Sequence, residues 1–220
     1  MQAYENIRAA EAFRASRAGF EELIADLTAP TADGLSEVDL EEQVFVVGRE
    51  IQRLLVQGQL DLRAAREMRQ GSVTGADGVE RRAVEPGHTR QLATRFGTVT
   101  VTRIAYRAKG VANLYPADAG LNLPVHRHSL VLRKLAVQQA VRGSFDNAHA
   151  MLTEQCGPVI GKRQIEENTV AAARDIDTFY TSRAPVACTD DTLLVITSDA
   201  KGVVMRPEAL REATRCRRTT

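Results

Sequence analysis

The sequence predicts an α+β chain that is mostly helical. The expected order is an N-terminal helical region, a small basic antiparallel β unit, a trihelical helix-turn-helix and a last buried strand. Three observations carry this. Apolar residues recur at three- and four-residue steps over the first third, the signature of amphipathic helices. Gly71, Gly75, Gly78, Pro86 and Gly87 then mark a change to two-residue alternation. Helical spacing returns after His128 and lasts until Pro185. The expected sections are 1–70, 71–127, 128–183 and 184–220.

In the first section Phe13, Phe20, Leu23, Ile24 and Leu27 share one helical face, which Pro30 and Gly34 end. Ser36 stands three residues before Asp39, a capping-box-like start. Leu40, Val44, Val47, Ile51 and Leu54 follow at heptad-like steps. A helical hairpin packed on itself is expected from this seam, with dimerisation as the alternative. Gly58 is a point where the helix would be interrupted, and LDLRAAREMRQ resumes good helix formers up to Gly71.

The β unit reads RRAVE and RQLATRFGTVTVTRIAYRA, with a turn at Phe96-Gly97. Thr98, Thr100 and Thr102 fall on one face of the second strand and Val99 and Val101 on the other. Arg90, Arg95, Arg103, Arg107 and Lys109 decorate the unit, and no acid lies between Pro86 and Lys109. Such a sheet suits a nucleic-acid backbone; it equally suits a connector. Residues 110–127 read as a loop, with Pro116, Gly120 and Pro124 opposing regular structure.

Three helices follow. The first runs from Ser129 to Val141, and Ser144 caps the second, which Gly157-Pro158 stops. The third begins near Lys162, with Ile165, Thr169, Ala173 and Ile176 at helical spacing. Two short helices joined by a tight glycine-containing turn, after a preceding helix, match the helix-turn-helix pattern. Lys162 and Arg163 then lead the recognition helix, where N-terminal residues reach phosphates or bases. Glu166 and Glu167 beside them oppose phosphate, and a plain helical bundle is the alternative. Last, DDTLLVITSD is an apolar core bounded by polar residues, the mark of a strand buried on both faces.

The net charge of +1 conceals a segregation. The balance is −6 over 1–85, +8 over 86–163 and −1 over 164–220. A basic middle third is the footprint of a phosphate-binding surface; a solvated face balanced in space by the acidic first third would look the same. No apolar run approaches the about 18–20 residues that span a bilayer, and the N-terminus has no apolar signal core, so no membrane partner and a cytoplasmic location are expected. Cys156, Cys188 and Cys216 have no CxxC or zinc-ligand spacing and read as free thiols. His126 and His128 form an HxH pair that lacks a third ligand, and read as surface loop residues. No GxGxxG, Walker loop, GxSxG or HExxH motif is present. Asp199 closes the last strand, a position from which two-metal phosphoryl-transfer enzymes present a carboxylate. A turn-capping aspartate occupies the same kind of position.

The runs LSEVDLEEQ, LDLRAARE, RQLATRFGTVTVTRIAYRAKGVANLYPADAGLNLP, RGSFDNAHAML, GKRQIEEN and DAKGVVMRPEALREAT are specific enough to compare. Through them, residues 20–215 resemble the N-terminal half of an insertion-sequence transposase of the ISKra family. The resemblance implies a DDE-type enzyme that cuts and joins DNA with two Mg²⁺ ions on an RNase H-like domain. It makes Asp199 the first catalytic and metal-binding acid, and the insertion-sequence ends the DNA partner. The β unit and the helix-turn-helix become end-recognition elements, with Arg90, Arg95, Arg103, Arg107, Lys162 and Arg163 as DNA contacts. Ala200 stands where the family more often has glycine, and RCRRTT departs from its pattern. The later family acids have no counterpart here, so the expectation is a truncated transposase, inactive in strand transfer by itself. The alternatives are a non-enzymatic helix-turn-helix DNA-binding protein, or a helical interaction module and homo-oligomer built on the Leu40–Leu54 seam.

Overall fold

The computed structural model describes residues 10–184. Asp199, the strand expected to end at it, Cys188 and Cys216 lie outside them. The chain divides into two compact units, Met1–Asp177 and Thr178–Thr220. All the packing described below belongs to the first. Among the described residues the class is α+β and mostly helical, with two small antiparallel sheets. Among the described residues no helix is long and apolar enough to cross a membrane.

Helix α1 (Arg14–Thr28) and helix α2 (Glu37–Arg66) form the expected hairpin, joined by a 3₁₀ turn at Pro30–Gly34. Ser36 caps α2: its Oγ accepts from Asp39 N at 3.2 Å and donates to the Asp39 carboxylate at 2.5 Å. Glu37 and Asp39 in the first turn and Arg63 and Arg66 in the last complement the helix dipole. The Ile51–Leu54 end of the seam faces α1, where a Cβ on Gly19 would sit 3.5 Å from Ile51 and 4.0 Å from Leu54, while Leu40 and Val44 stay exposed. Gly58 does not interrupt α2, which runs through it unbroken. A Cβ there would lie 2.5 Å from the Ala12 carbonyl oxygen and 2.9 Å from the Phe13 ring. The glycine is thus a point of close helix approach, worth the roughly 1 kcal/mol of lost helix propensity. The helix stops at Arg66 rather than continuing to Gly71.

Strands β1 (Val73–Thr74) and β2 (Glu80–Arg81) make a short ladder closed by a turn through Gly78, φ +72°. Arg81 is buried beneath it. Its guanidinium grips Asp77 through both terminal nitrogens, at 3.1 and 2.7 Å, and its Nε donates to the Ala112 carbonyl at 2.9 Å. Those bonds, with help from the Val79 amide, hold the Asp77 carboxyl down at about 2.

Strands β3 (Ala83–Thr94) and β4 (Gly97–Arg107) form the expected hairpin around Arg95-Phe96, with Thr94 opposite Gly97 and an irregularity between Glu85 and His88. The free edge of β4 is covered by α2. Arg53 donates to Thr98 O at 3.5 Å, and the Gln57 amide both donates to Thr100 O (3.0 Å) and accepts from Thr100 N (2.8 Å). Ile104 N donates to the Glu67 carboxylate at 2.9 Å. The match is geometric. Four helical residues rise about 6 Å and two strand residues about 6.7 Å, so a helix parallel to a strand keeps pace with its outward-facing backbone groups. The uncovered edge would otherwise template pairing with other chains. On the β3 side, Ala93 N donates to Arg127 O and Ala93 O accepts from Ser129 N, at 2.7 and 2.8 Å.

Residues 110–127 are not all loop. Pro116–Gly120 form a short helix, α3, because proline at the first helical position loses no hydrogen bond and has a suitable φ. Helices α4 (Leu130–Arg142), α5 (Phe145–Cys156) and α6 (Lys162–Ala172) follow. Ser129 and Ser144 cap α4 and α5, accepting from Leu132 N and Asn147 N at 3.2 and 3.1 Å. Gly157, φ +77°, ends α5. Leu132, Ala136, Ala148, Leu152, Cys156 and Ile165 form the core between the three helices, and Ala93 of β3 belongs to the same cluster. The third helical stretch is shorter than its spacing suggested. A turn at 173–175 separates α6 from α7 (Ile176–Ser182), and Ala173 and Ile176 are exposed.

Candidate nucleic-acid interface

The basic middle third divides into cations that face inward and cations that face solvent. On the β-hairpin the division follows strand alternation. Leu92 and Val99 are paired across the ladder, as are Arg90 with Val101 and His88 with Arg103. All of these share the face that the 110–127 segment covers, where Leu121 and Leu123 pack on Leu92, Val99, Val101 and Leu60. On the opposite face Thr89, Gln91, Thr98, Thr100 and Thr102 make a polar, uncharged stretch, followed along β4 by Ile104 and buried Tyr106.

Arg103 is therefore buried, 7% exposed, not displayed. Its Nε lies 2.8 Å from Asp118 Oδ1, and its guanidinium is 4.0 Å from the centre of the Tyr115 ring. The Nε–H is not aimed at the oxygen, so the contact is ionic rather than a directed hydrogen bond. Burial pushes the Asp118 carboxyl up, against the pull of Arg103 and Arg90. Arg90 donates through Nη2 to the carbonyls of Pro124 (2.9 Å) and His126 (2.8 Å). These two arginines staple the 110–127 segment to the sheet, which corrects the expectation that they decorate its surface. Arg107 sits at the end of β4, more than half exposed, and donates to Glu85 at 2.7 Å. His88, then Arg107, holds the Glu85 carboxyl below its usual range. Arg95 occupies the hairpin turn, exposed, with its guanidinium 5.5 Å from the Phe96 ring centre.

The three-helix unit presents its charge outward. Helix α6 starts at Gly161 with no side-chain cap, and Lys162 and Arg163 occupy its first turn, both exposed. Lys162 reaches Asp146 of α5 at 2.5 Å and Arg163 reaches Glu167 at 2.9 Å. Exposed pairs of this kind are worth about 0–1 kcal/mol each, so an incoming phosphate can replace them at little cost. Ile165 and Asn168 set the buried side of α6, and Arg133 of α4 donates to Asn168 Oδ1 at 3.1 Å.

His128 is not a surface residue as the HxH reading had it. It is 6% exposed and bridges to Ala93 at the junction of sheet and helices. Burial first, then Arg127, His126 and Arg133, hold its imidazole below the ordinary value, with Glu167 pulling the other way. Cys156 is a free thiol in the three-helix core, pushed up by burial. Among the described residues no group of three or more His, Cys, Asp or Glu side chains is placed to hold a metal ion.

The acids that neutralise the hairpin's cations lie just outside Pro86–Lys109: Asp118 of the covering segment sits on Arg103, and Glu85, within β3, pairs with Arg107. The signal for Arg103 was available, since two-residue alternation puts it on the Val99–Val101 face. No protein-family model, curated protein or solved structure matches the chain.

Proposed function

We propose that the chain binds duplex DNA through the α4–α6 unit, read as a helix-turn-helix with α6 as the recognition helix. The observation that carries this is the first turn of α6, where Lys162 and Arg163 are exposed behind a tight turn and the helix start is uncapped. A helix N-terminus carries partial positive charge, and the flanking cations add to it. The surrounding segment supports the reading, with its +8 balance over 86–163. Exposed Arg95 is a second candidate contact.

The sequence runs that resemble ISKra-family transposases extend the proposal. The DNA would be insertion-sequence ends, the fold C-terminal to the helices RNase H-like, and Asp199 the first acid of a two-Mg²⁺ site. Arg90 and Arg103 leave the list of proposed contacts, because they hold the fold internally.

A gel-shift titration with duplex DNA tests the reading. Retardation is expected at low salt, and Lys162→Glu/Arg163→Glu is expected to weaken it by roughly tenfold or more through lost phosphate contacts. Absence of retardation, or unchanged binding by a folded double variant, excludes α6 as the contact.

A further inference from the structure

Residues 18–48 contain eight Asp or Glu and no Lys, Arg or His. They run from the middle of α1 through the 3₁₀ turn into the first part of α2 and so make up the turn end of the α1–α2 hairpin. The same end leaves Phe20, Ile24, Val38, Leu40, Val44 and Phe45 exposed, Val38 at 69%. From the level of Gly19 onward α2 is occupied: Ile51 and Leu54 lie against Gly19, and Leu60 and Val56 pack on the β-hairpin. The turn end thus combines apolar surface with one sign of charge. Single exposed apolar residues need no explanation, but this many on both helices at one hairpin end, with charge of one sign, suit an interaction site.

A complementary surface stands elsewhere on the same chain. Residues 119–145 contain four Lys or Arg and no Asp or Glu. Val131, Lys134, Gln138, Val141 and Arg142 recur along the side of α4 turned away from Leu132 and Ala136, and all five are exposed, Val141 at 78%. This stripe mixes two apolar, two cationic and one neutral polar group, whereas a phosphate surface has no use for Val131 and Val141.

We infer that the acidic-apolar end of the α1–α2 hairpin docks on the basic-apolar stripe of α4 of a second copy of this chain, head to tail. Two acidic ends facing each other would repel, so a symmetric end-to-end dimer is disfavoured. Two different patches in contact make a heterologous interface, which grows into an open series or closes into a ring. The inference is independent of DNA binding, because the α6 first turn takes no part in either patch.

The test is sedimentation velocity of the full chain, without DNA, over a range of protein and salt concentrations. Wild type should associate beyond a dimer as concentration rises, and less so at high salt. Glu41→Lys/Glu42→Lys and Lys134→Glu/Arg142→Glu replace exposed residues, and unchanged circular dichroism checks their folding. Each double variant should shift the association midpoint up by roughly tenfold or more. All four changes in one chain restore opposite charges on the two patches and should restore association. A wild type that stays monomeric overturns the inference. So does association lost in the Glu41/Glu42 variant but untouched in the Lys134/Arg142 variant, which would mean a different partner surface. Failure of the four-fold swap to recover association in a folded chain also overturns it. A Lys134/Arg142 variant that changes only DNA retardation, with monomeric wild type, assigns the stripe to nucleic acid instead.

Discussion

The β-hairpin and the three-helix unit are both basic, yet they use their cations in opposite ways. On the hairpin, Arg90 and Arg103 lie on the covered face and bind carbonyls and a carboxylate of the 110–127 segment. On the three-helix unit, Lys162 and Arg163 stand in solvent with only exposed acids beside them. Charge counted along the sequence is the same quantity in both. Burial decides whether it becomes structure or surface, because a buried charge needs a fixed partner and an exposed one is free to exchange partners.

The largest effect that would break this contrast is at Arg103. Arg103→Ala leaves Asp118 without its nearest cation in a partly dry setting and should cost about 3 kcal/mol in denaturant unfolding. Arg103→Met with Asp118→Leu should recover much of that loss, since replacing both partners with apolar groups leaves no orphan charge. An Arg103→Ala protein as stable as wild type would place the arginine with the surface cations.

Gln57 comes next. Gln57→Ala leaves Thr100 N and O without their helix partners and should lower stability by about 2 kcal/mol. It should also speed amide exchange at Thr100 specifically, which a general loosening of α2 would not do. Gly58→Ala pits about 1 kcal/mol of helix propensity against a clash with a backbone carbonyl. Net destabilisation in thermal melting is expected, and a stabilised variant would contradict the close approach of α1.

A smaller effect involves pH. The His128 imidazole is held below its ordinary value, so the unfolded chain takes up the proton first. Its contribution is fully present above about pH 6.5 and is lost as pH falls from there through the lower folded value. Stability measured across that range should decline on acidification, and His128→Gln should flatten the decline. The smallest effect is expected at α6. Lys162→Glu/Arg163→Glu should change stability by no more than about 1 kcal/mol, since exposed pairs contribute little.

Most elements were legible in the sequence because local signals agreed. Ser36, Ser129 and Ser144 announced three helix starts, Gly157 announced a stop, and Val99 and Val101 announced the covered face of β4. Three of the features that differ from the local signals show why the rest was not. Gly58 looked like a breaker because its reason, the carbonyl of Ala12, is 46 residues away along the chain. Pro116 looked like a loop residue although proline starts helices as readily as it ends them. Arg90 and Arg103 looked like surface charge because their partners, Asp118 and the carbonyls of Pro124 and His126, follow later in the sequence. At the candidate site the helix start at Lys162 was readable, but its engagement with Asp146 depends on how α5 and α6 pack.

The central claim is that the cations of α6 contact DNA while those of the hairpin's covered face hold the fold. The most direct measurement is the salt dependence of duplex binding for wild type, Lys162→Glu/Arg163→Glu, and the folded Arg103→Met/Asp118→Leu variant. Two lost phosphate contacts should reduce the slope of log K against log salt by about 2 in the α6 variant and leave it unchanged in the hairpin variant. A wild-type slope in the α6 variant, together with a reduced slope in the hairpin variant, would contradict the account.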